Sequence, residues 1–170
     1  DHAAAALRVP DLSLQIAAYH NASVLGVIAL VALNSARVGE ALDAIATNIR
    51  FHNPSARVRI SADRSRGIAC YEQDPGLAED APRRQVVEFI YAVTFKVLQA
   101  MTGEAATDWR VSFRHPRGMP SRRYRKYFAC TIQFDAMRDC IEFPAALLDL
   151  PIDSADPGLK QLALRYLDHL

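Results

Sequence analysis

The chain has 170 residues, 51% of them hydrophobic and 23% charged, with a formal net charge of +1. That is an ordinary globular composition, and a chain of this length buries roughly 70% of the surface it exposes unfolded, so no disulfide or metal staple is required. The near-zero charge excludes a general field pulling the protein onto DNA or an anionic membrane, and three cysteines do not make a disulfide framework.

The sequence begins at Asp1 without an initiator Met, and further residues are expected upstream. Pro10-Asp11 opens a short helix, with Leu12, Ile16 and Tyr19 placed on one apolar face by their i, i+4, i+7 spacing. Residues 24–33 are apolar all round, which predicts a helix inside a core. This run falls well short of the ~20 residues that span a bilayer. Gly26 and its neighbouring alanines leave room for another backbone or a ligand. A helix over 37–51 follows, with Val38, Leu42, Ile45 and Ile49 on one stripe and Asn53-Pro54 stopping it.

From Ala56 the period changes to two: Val58 and Ile60 alternate with Arg57, Arg59 and Ser61, and Ile68, Cys70 and Glu72 continue after a turn, so a β-hairpin is predicted. Residues 74–82 read as loop. A long helix over 83–101 is closed by Gly103; Val86, Ile90, Val93, Val97 and Met101 make one stripe, with Val87, Thr94 and Leu98 beside it. A third strand is expected over 109–113, then a short helix over 121–128 capped by Ser121, then a second hairpin over 131–134 and 139–143. Asp156, followed by Pro157, caps a last helix. The expected class is α+β: a largely antiparallel sheet of about five strands covered by helices, with an N-terminal helical segment, in one domain over 1–170.

No enzyme signature is present. The seven glycines form neither a dinucleotide fingerprint nor a phosphate loop, and the five histidines lack metal-ligand spacing. His52, near a helix end, reads as a partner of the C-terminal dipole. In a 135–138 turn, Cys140 would face Gln133 while Cys130 pointed to the other side of the sheet, so both are expected to be free, buried thiols. Residues 110–126 carry Arg110, Arg114, Arg117, Arg122, Arg123, Arg125 and Lys126 without a carboxylate between them. Such a run fits phosphate neutralisation, a solvated face, or a contact with acidic groups of a neighbouring domain; the solvated face is preferred, because Tyr124, Tyr127 and Phe128 sit at helical spacing.

One ordered series of motifs goes further: Trp109-Arg110-Val111-Ser112-Phe113, His115-Pro116, Tyr124-Arg125-Lys126-Tyr127-Phe128, Ile132-Gln133-Phe134, Ile141-Glu142-Phe143, Leu147-Leu148 and Ala155-Asp156-Pro157. Upstream stand Leu25-Gly26, Gly39-Glu40-Ala41-Leu42 and His52-Asn53-Pro54. This order resembles the N-terminal effector-binding, arabinose-binding-like domain of AraC-type transcription regulators. Ala129-Cys130-Thr131 departs from the usual Gly-Cys-Pro, and Asp139 from a common Asn. The resemblance implies a cytoplasmic, homodimeric regulator without catalytic residues, cofactor or metal, taking a small-molecule effector and touching DNA only through a helix-turn-helix domain expected after residue 170. It also implies a cavity walled by 24–33, with Tyr19, His20, Leu25, Gly26, Ala29, Tyr71 and Tyr91 as candidate ligand-binding residues. The apolar character of that wall favours an apolar or amphipathic effector, such as an acyl or aromatic acid, over a sugar. The alternatives are a filled core and a ligand-free dimerisation or interaction module.

Overall fold

The computed structural model describes residues 1–78, 81–103 and 106–169. Seven helices are seen among them: α1 (His2–Ala6), α2 (Leu12–Ala18), α3 (Val27–Leu33), α4 (Val38–His52), α5 (Arg84–Thr102), α6 (Ser121–Tyr124) and α7 (Pro157–Leu167). The strands are β1 (Arg57–Asp63), β2 (Ile68–Asp74), β3 (Arg110–Ser112), β4 (Thr131–Gln133) and β5 (Cys140–Pro144), in the spatial order β1-β2-β5-β3-β4. All pairings are antiparallel except β3 with β4. The α+β expectation with a largely antiparallel sheet therefore holds.

The period-two pattern places Ala69, Tyr71, Val111, Ile141 and Phe143 on the inner face, all buried. Helix α4 packs on β1 and α5 on β5, α2 lies against α5, and α3 sits between α4 and α7. The stripe Val38, Leu42, Ile45 and Ile49 of α4 is buried as its spacing predicts. Gly103 ends α5 in the left-handed conformation (φ 64°), and Asp156 caps α7 by accepting from Gly158 N and Leu159 N. The outer face is charged: Glu72 holds Arg59 and Arg138, each at 2.7 Å, and Glu142 lies 3.7 Å from Arg110.

Four expectations are corrected. The second hairpin does not form, because β3 lies between β4 and β5, with Ser112 opposite both Gln133 and Cys140. The loop between β4 and β5 wraps the end of β3 instead: Ala136 N donates to Phe113 O (3.0 Å) and Arg114 N to Asp139 Oδ1 (2.8 Å), and Asp135 takes a positive φ. The apolar run 24–33 is not one helix; a 3-10 turn (Ala22–Leu25) is separated from α3 by Gly26 (φ 58°, ψ −128°). A Cβ at Gly26 would meet nothing within 4 Å, so its glycine serves the backbone angle and not close packing. In α2 the buried positions are Ser13, Leu14 and Ala17, while Ile16 and Tyr19 are exposed. Finally, Ser121 does not cap α6; its hydroxyl accepts from Arg117.

Candidate effector site

A partly enclosed cavity of about 70 Å³ lies between the inner ends of α4, β2 and α5, under the 3-10 turn. Leu42, Ile45 and Ile49 form its α4 wall; Phe89, Ile90, Val93, Val97 and Leu98 form its α5 wall. Both sets follow from helical periodicity, since they recur every three or four residues. Val24 and Leu25 close it from the turn. Its polar groups are few: His52 at the end of α4, Thr94, and Tyr71 and Gln73 from β2, whose side chains alternate inward. The Tyr71 hydroxyl donates to Gln73 Oε1 at 2.6 Å, and burial pushes its phenol well above the ordinary range. It remains a neutral hydrogen-bonding group at any physiological pH.

The turn over the cavity is a strap with a defined tether. Gly26 provides the break at its far end, and Asn21 stabilises its start by accepting from Ser23 N at 2.9 Å. Before it, Lys96 of α5 donates to Ala17 O (3.2 Å), Ala18 O (2.7 Å) and His20 O (2.5 Å), neutralising the carbonyls at the end of α2.

Of the candidates read from sequence, Leu25 and Tyr71 stand on the cavity wall. His20 is one layer out, edge-on to the wall residue Phe89 at 5.2 Å. Tyr91 is fully buried, but its hydroxyl joins strands by accepting from Gln73 N (3.0 Å) and donating to Asp139 O (2.6 Å). Gly26 is the hinge of the strap, Ala29 lies in α3, and Tyr19 is 91% exposed. Thus α3 turns towards α4 and α7, and only residues 24 and 25 of the apolar run reach the cavity. The α5 and α4 walls could have been found from their stripes; what the stripes lacked was the identity of the facing strand.

A second feature had no sequence signal. Glu88 of α5 is fully buried and accepts from Tyr124 Oη at 2.6 Å, with Arg84 at 3.4 Å and His115 Nε2 at 3.8 Å. Burial holds its carboxyl above the usual carboxylate range, against the lowering effect of Tyr124, Arg84 and His115. Around it Arg84 and Gln85 donate to Pro10 O, and Asp11 receives Arg123 (3.1 Å) and Tyr127 (3.3 Å). Part of the basic run therefore neutralises the N-terminal segment, a role the linear sequence concealed. All three cysteines are free, Cys70 and Cys140 buried and Cys130 half-buried. Among the described residues no group of His, Cys, Asp and Glu is placed to hold a metal ion, and no helix is long and apolar enough to cross a membrane.

This arrangement combines an apolar lining with a few hydrogen-bonding groups, the make-up of a small-molecule pocket. The sequence family described as the arabinose-binding domain of AraC transcription regulator, N-term, matches residues 1–152. The chain belongs to that family. It is similar to the HTH-type transcriptional regulator VirS of Mycobacterium tuberculosis, 29% identical over 168 residues, covering 97% of this chain and 48% of VirS. It is also similar to the ornithine utilization regulator of Pseudomonas aeruginosa, 24% identical over 154 residues and covering 90% and 44% of the two chains. The crystal structure of the transcriptional regulator CdpR from Pseudomonas aeruginosa shares the fold, with a TM-score of 0.77 at 23% identity over 92% of this chain and 50% of the CdpR chain. The chain spans about half the length of these relatives.

Proposed function

We propose that this chain is the effector-sensing domain of an AraC-like transcription regulator and that the cavity beneath the Ala22–Leu25 strap receives the effector. The observation that carries this reading is an apolar wall drawn from two helices, finished by Tyr71, Gln73, Thr94 and His52 and covered by a strap that begins and ends on backbone breaks. An apolar or amphipathic molecule, such as an acyl or aromatic acid, matches that lining better than a sugar does, whatever the family's name. At about 70 Å³ the cavity has less than half the ~150 Å³ that takes benzene, so ligand entry requires the strap to lift. Movement of the strap pulls on α3, which packs against α7, and so reaches the C-terminal helix. In a full-length cytoplasmic regulator this helix leads towards a helix-turn-helix domain, which alone contacts DNA.

The test is thermal melting of the purified chain with hexanoate, decanoate and benzoate, together with native mass spectrometry for a retained molecule. A saturable rise in Tm with one of these acids, abolished by Ile45→Phe in a variant with unchanged circular dichroism, is expected. Equal shifts in both proteins would remove the cavity from the effector role. A second reading, a ligand-free interaction module acting as a homodimer, is favoured by the exposed Leu159, Leu162 and Tyr166 of α7. On that reading Leu162→Glu converts a dimer to a monomer in sedimentation, and a wild-type monomer at micromolar concentration would rule it out.

A further inference from the structure

A groove of about 890 Å³, sharing only Gln73 with the lining of the apolar cavity, opens where β1 begins and β2 ends, beside the start of α5. Its charge is unbalanced: Arg57, Arg59, Arg83, Arg114 and Arg138 line it, against Glu72, Asp74 and Asp139. Two of these carboxylates are already committed. Glu72 accepts from Arg59 and Arg138, and Asp139 accepts from Arg114 N through Oδ1 while its other oxygen stays 3.9 Å from Arg83.

What remains unsatisfied points the same way. Arg83 Nε is buried without a hydrogen-bond partner. His115 takes no part in this: its Nδ1 faces Pro116 O at 2.9 Å and carries the hydrogen, so its Nε2, 3.8 Å from Glu88 Oε1, is an acceptor and not a donor to an anion. Then there is α5 itself, a 19-residue helix whose N-terminus has no side-chain cap and no acidic residue in its first turn, but Arg83 and Arg84 instead. Its free N–H groups and its dipole favour negative charge where the side chains supply positive.

We propose that this groove is a binding site for the oxyanion of a small molecule, a carboxylate or a phosphate group, held at the start of α5 by Arg83 and Arg114. An anion there gives Arg83 Nε an acceptor and offsets the excess of arginine. The site stands whether or not the apolar cavity binds an effector.

The experiment is calorimetric titration and thermal melting of the chain with inorganic phosphate and, separately, sodium acetate, with ionic strength held constant by chloride. Saturable binding of at least one anion is expected, about tenfold weaker in Arg83→Gln and in Arg114→Gln, each losing a charge-assisted hydrogen bond. The cavity variant Val93→Ile should bind the anion like wild type. The stronger of the two probes identifies the ligand's head group. Non-saturable effects, or equal binding in wild type and both folded arginine variants, would overturn the proposal. So would tighter binding of a 20-base-pair duplex that both variants abolish, which would make the groove a nucleic-acid contact.

Discussion

Filling the cavity by one methyl group separates a ligand chamber from a packing defect, and Val93→Ile is the change to make. Val93 lies on the α5 wall, 6% exposed, and isoleucine keeps the β-branched rotamer preference of a helix. At ~24 cal/mol per Å³, a void of about 70 Å³ costs at most about 1.7 kcal/mol. An added methylene that enters it contributes ~0.8 kcal/mol of burial and removes part of that cost, so a net gain of about 1 kcal/mol is expected. In urea the midpoint should rise with the slope unchanged, and Tm should increase by about 2–4 °C. The same variant should weaken the response to an acid that shifts the wild type, because the methyl occupies space the ligand needs. If the wall were already close-packed, the larger side chain would overpack it and cost ~1–3 kcal/mol. A lowered midpoint would therefore refute the cavity at this position.

Glu88 gives a pH prediction. Since burial raises its folded pKa, the native state keeps a proton that the unfolded chain releases near pH 4.3, and stability falls as pH rises from there through the folded value. Glu88→Gln retains an acceptor for Tyr124 without this titration, so its stability relative to wild type should increase from pH 4 to pH 7 in denaturant melts; a difference that stays flat or declines would contradict the assignment. Cys130 supplies a second pH test. Its thiol is pushed up to about 11 by burial, which leaves about 0.1% thiolate at pH 8 against roughly a quarter for a free cysteine. Alkylation of native protein at Cys130 should be at least ~100-fold slower than in denaturant, and all three thiols should label once unfolded without reductant; a two-hydrogen mass deficit would show a disulfide instead.

The elements that were legible in the sequence are those whose signal is local. Helix α4 and its stripe, the β1–β2 hairpin, the Gly103 stop of α5 and the Asp156 cap each depend on a few neighbouring residues, and each formed where expected. The false hairpin shows the opposite case. Two short strands separated by a turn-like segment pair with each other by default, yet β3, which starts more than twenty residues before β4 and β5, inserted between them. The decision was tertiary: Val111 and Ile141, adjacent in the sheet, are both fully buried, whereas β4 is exposed enough to serve as an edge.

The same distinction explains which parts of the two sites could be read. Apolar walls announce themselves by period, so Ile45, Ile49, Val93 and Val97 were visible as core positions, although nothing local said that they stop short of closing on one another. Polar sites are built from unlike residues far apart in sequence, and their signal is the partner each one lacks. Arg83 and Arg114 are separated by 31 positions and lie in segments whose composition is already basic, so neither stands out until Glu72 and Asp11 have been assigned to other arginines and Asp139 Oδ1 to the Arg114 backbone N–H. Only after that assignment does the groove show a buried guanidinium nitrogen, Arg83 Nε, without an acceptor. The run at 110–126 thus has at least three distinct uses: Arg123 ties down the N-terminal segment, Arg110 pairs across the outer sheet face, and Arg114 remains without an ion pair among the described residues beside the start of α5. A uniform basic face would bind any polyanion in proportion to its charge, whereas this division leaves one localised site. Binding at that site should therefore depend on the anion's head group and on Arg83 and Arg114 individually, and very little on Arg122 or Arg125.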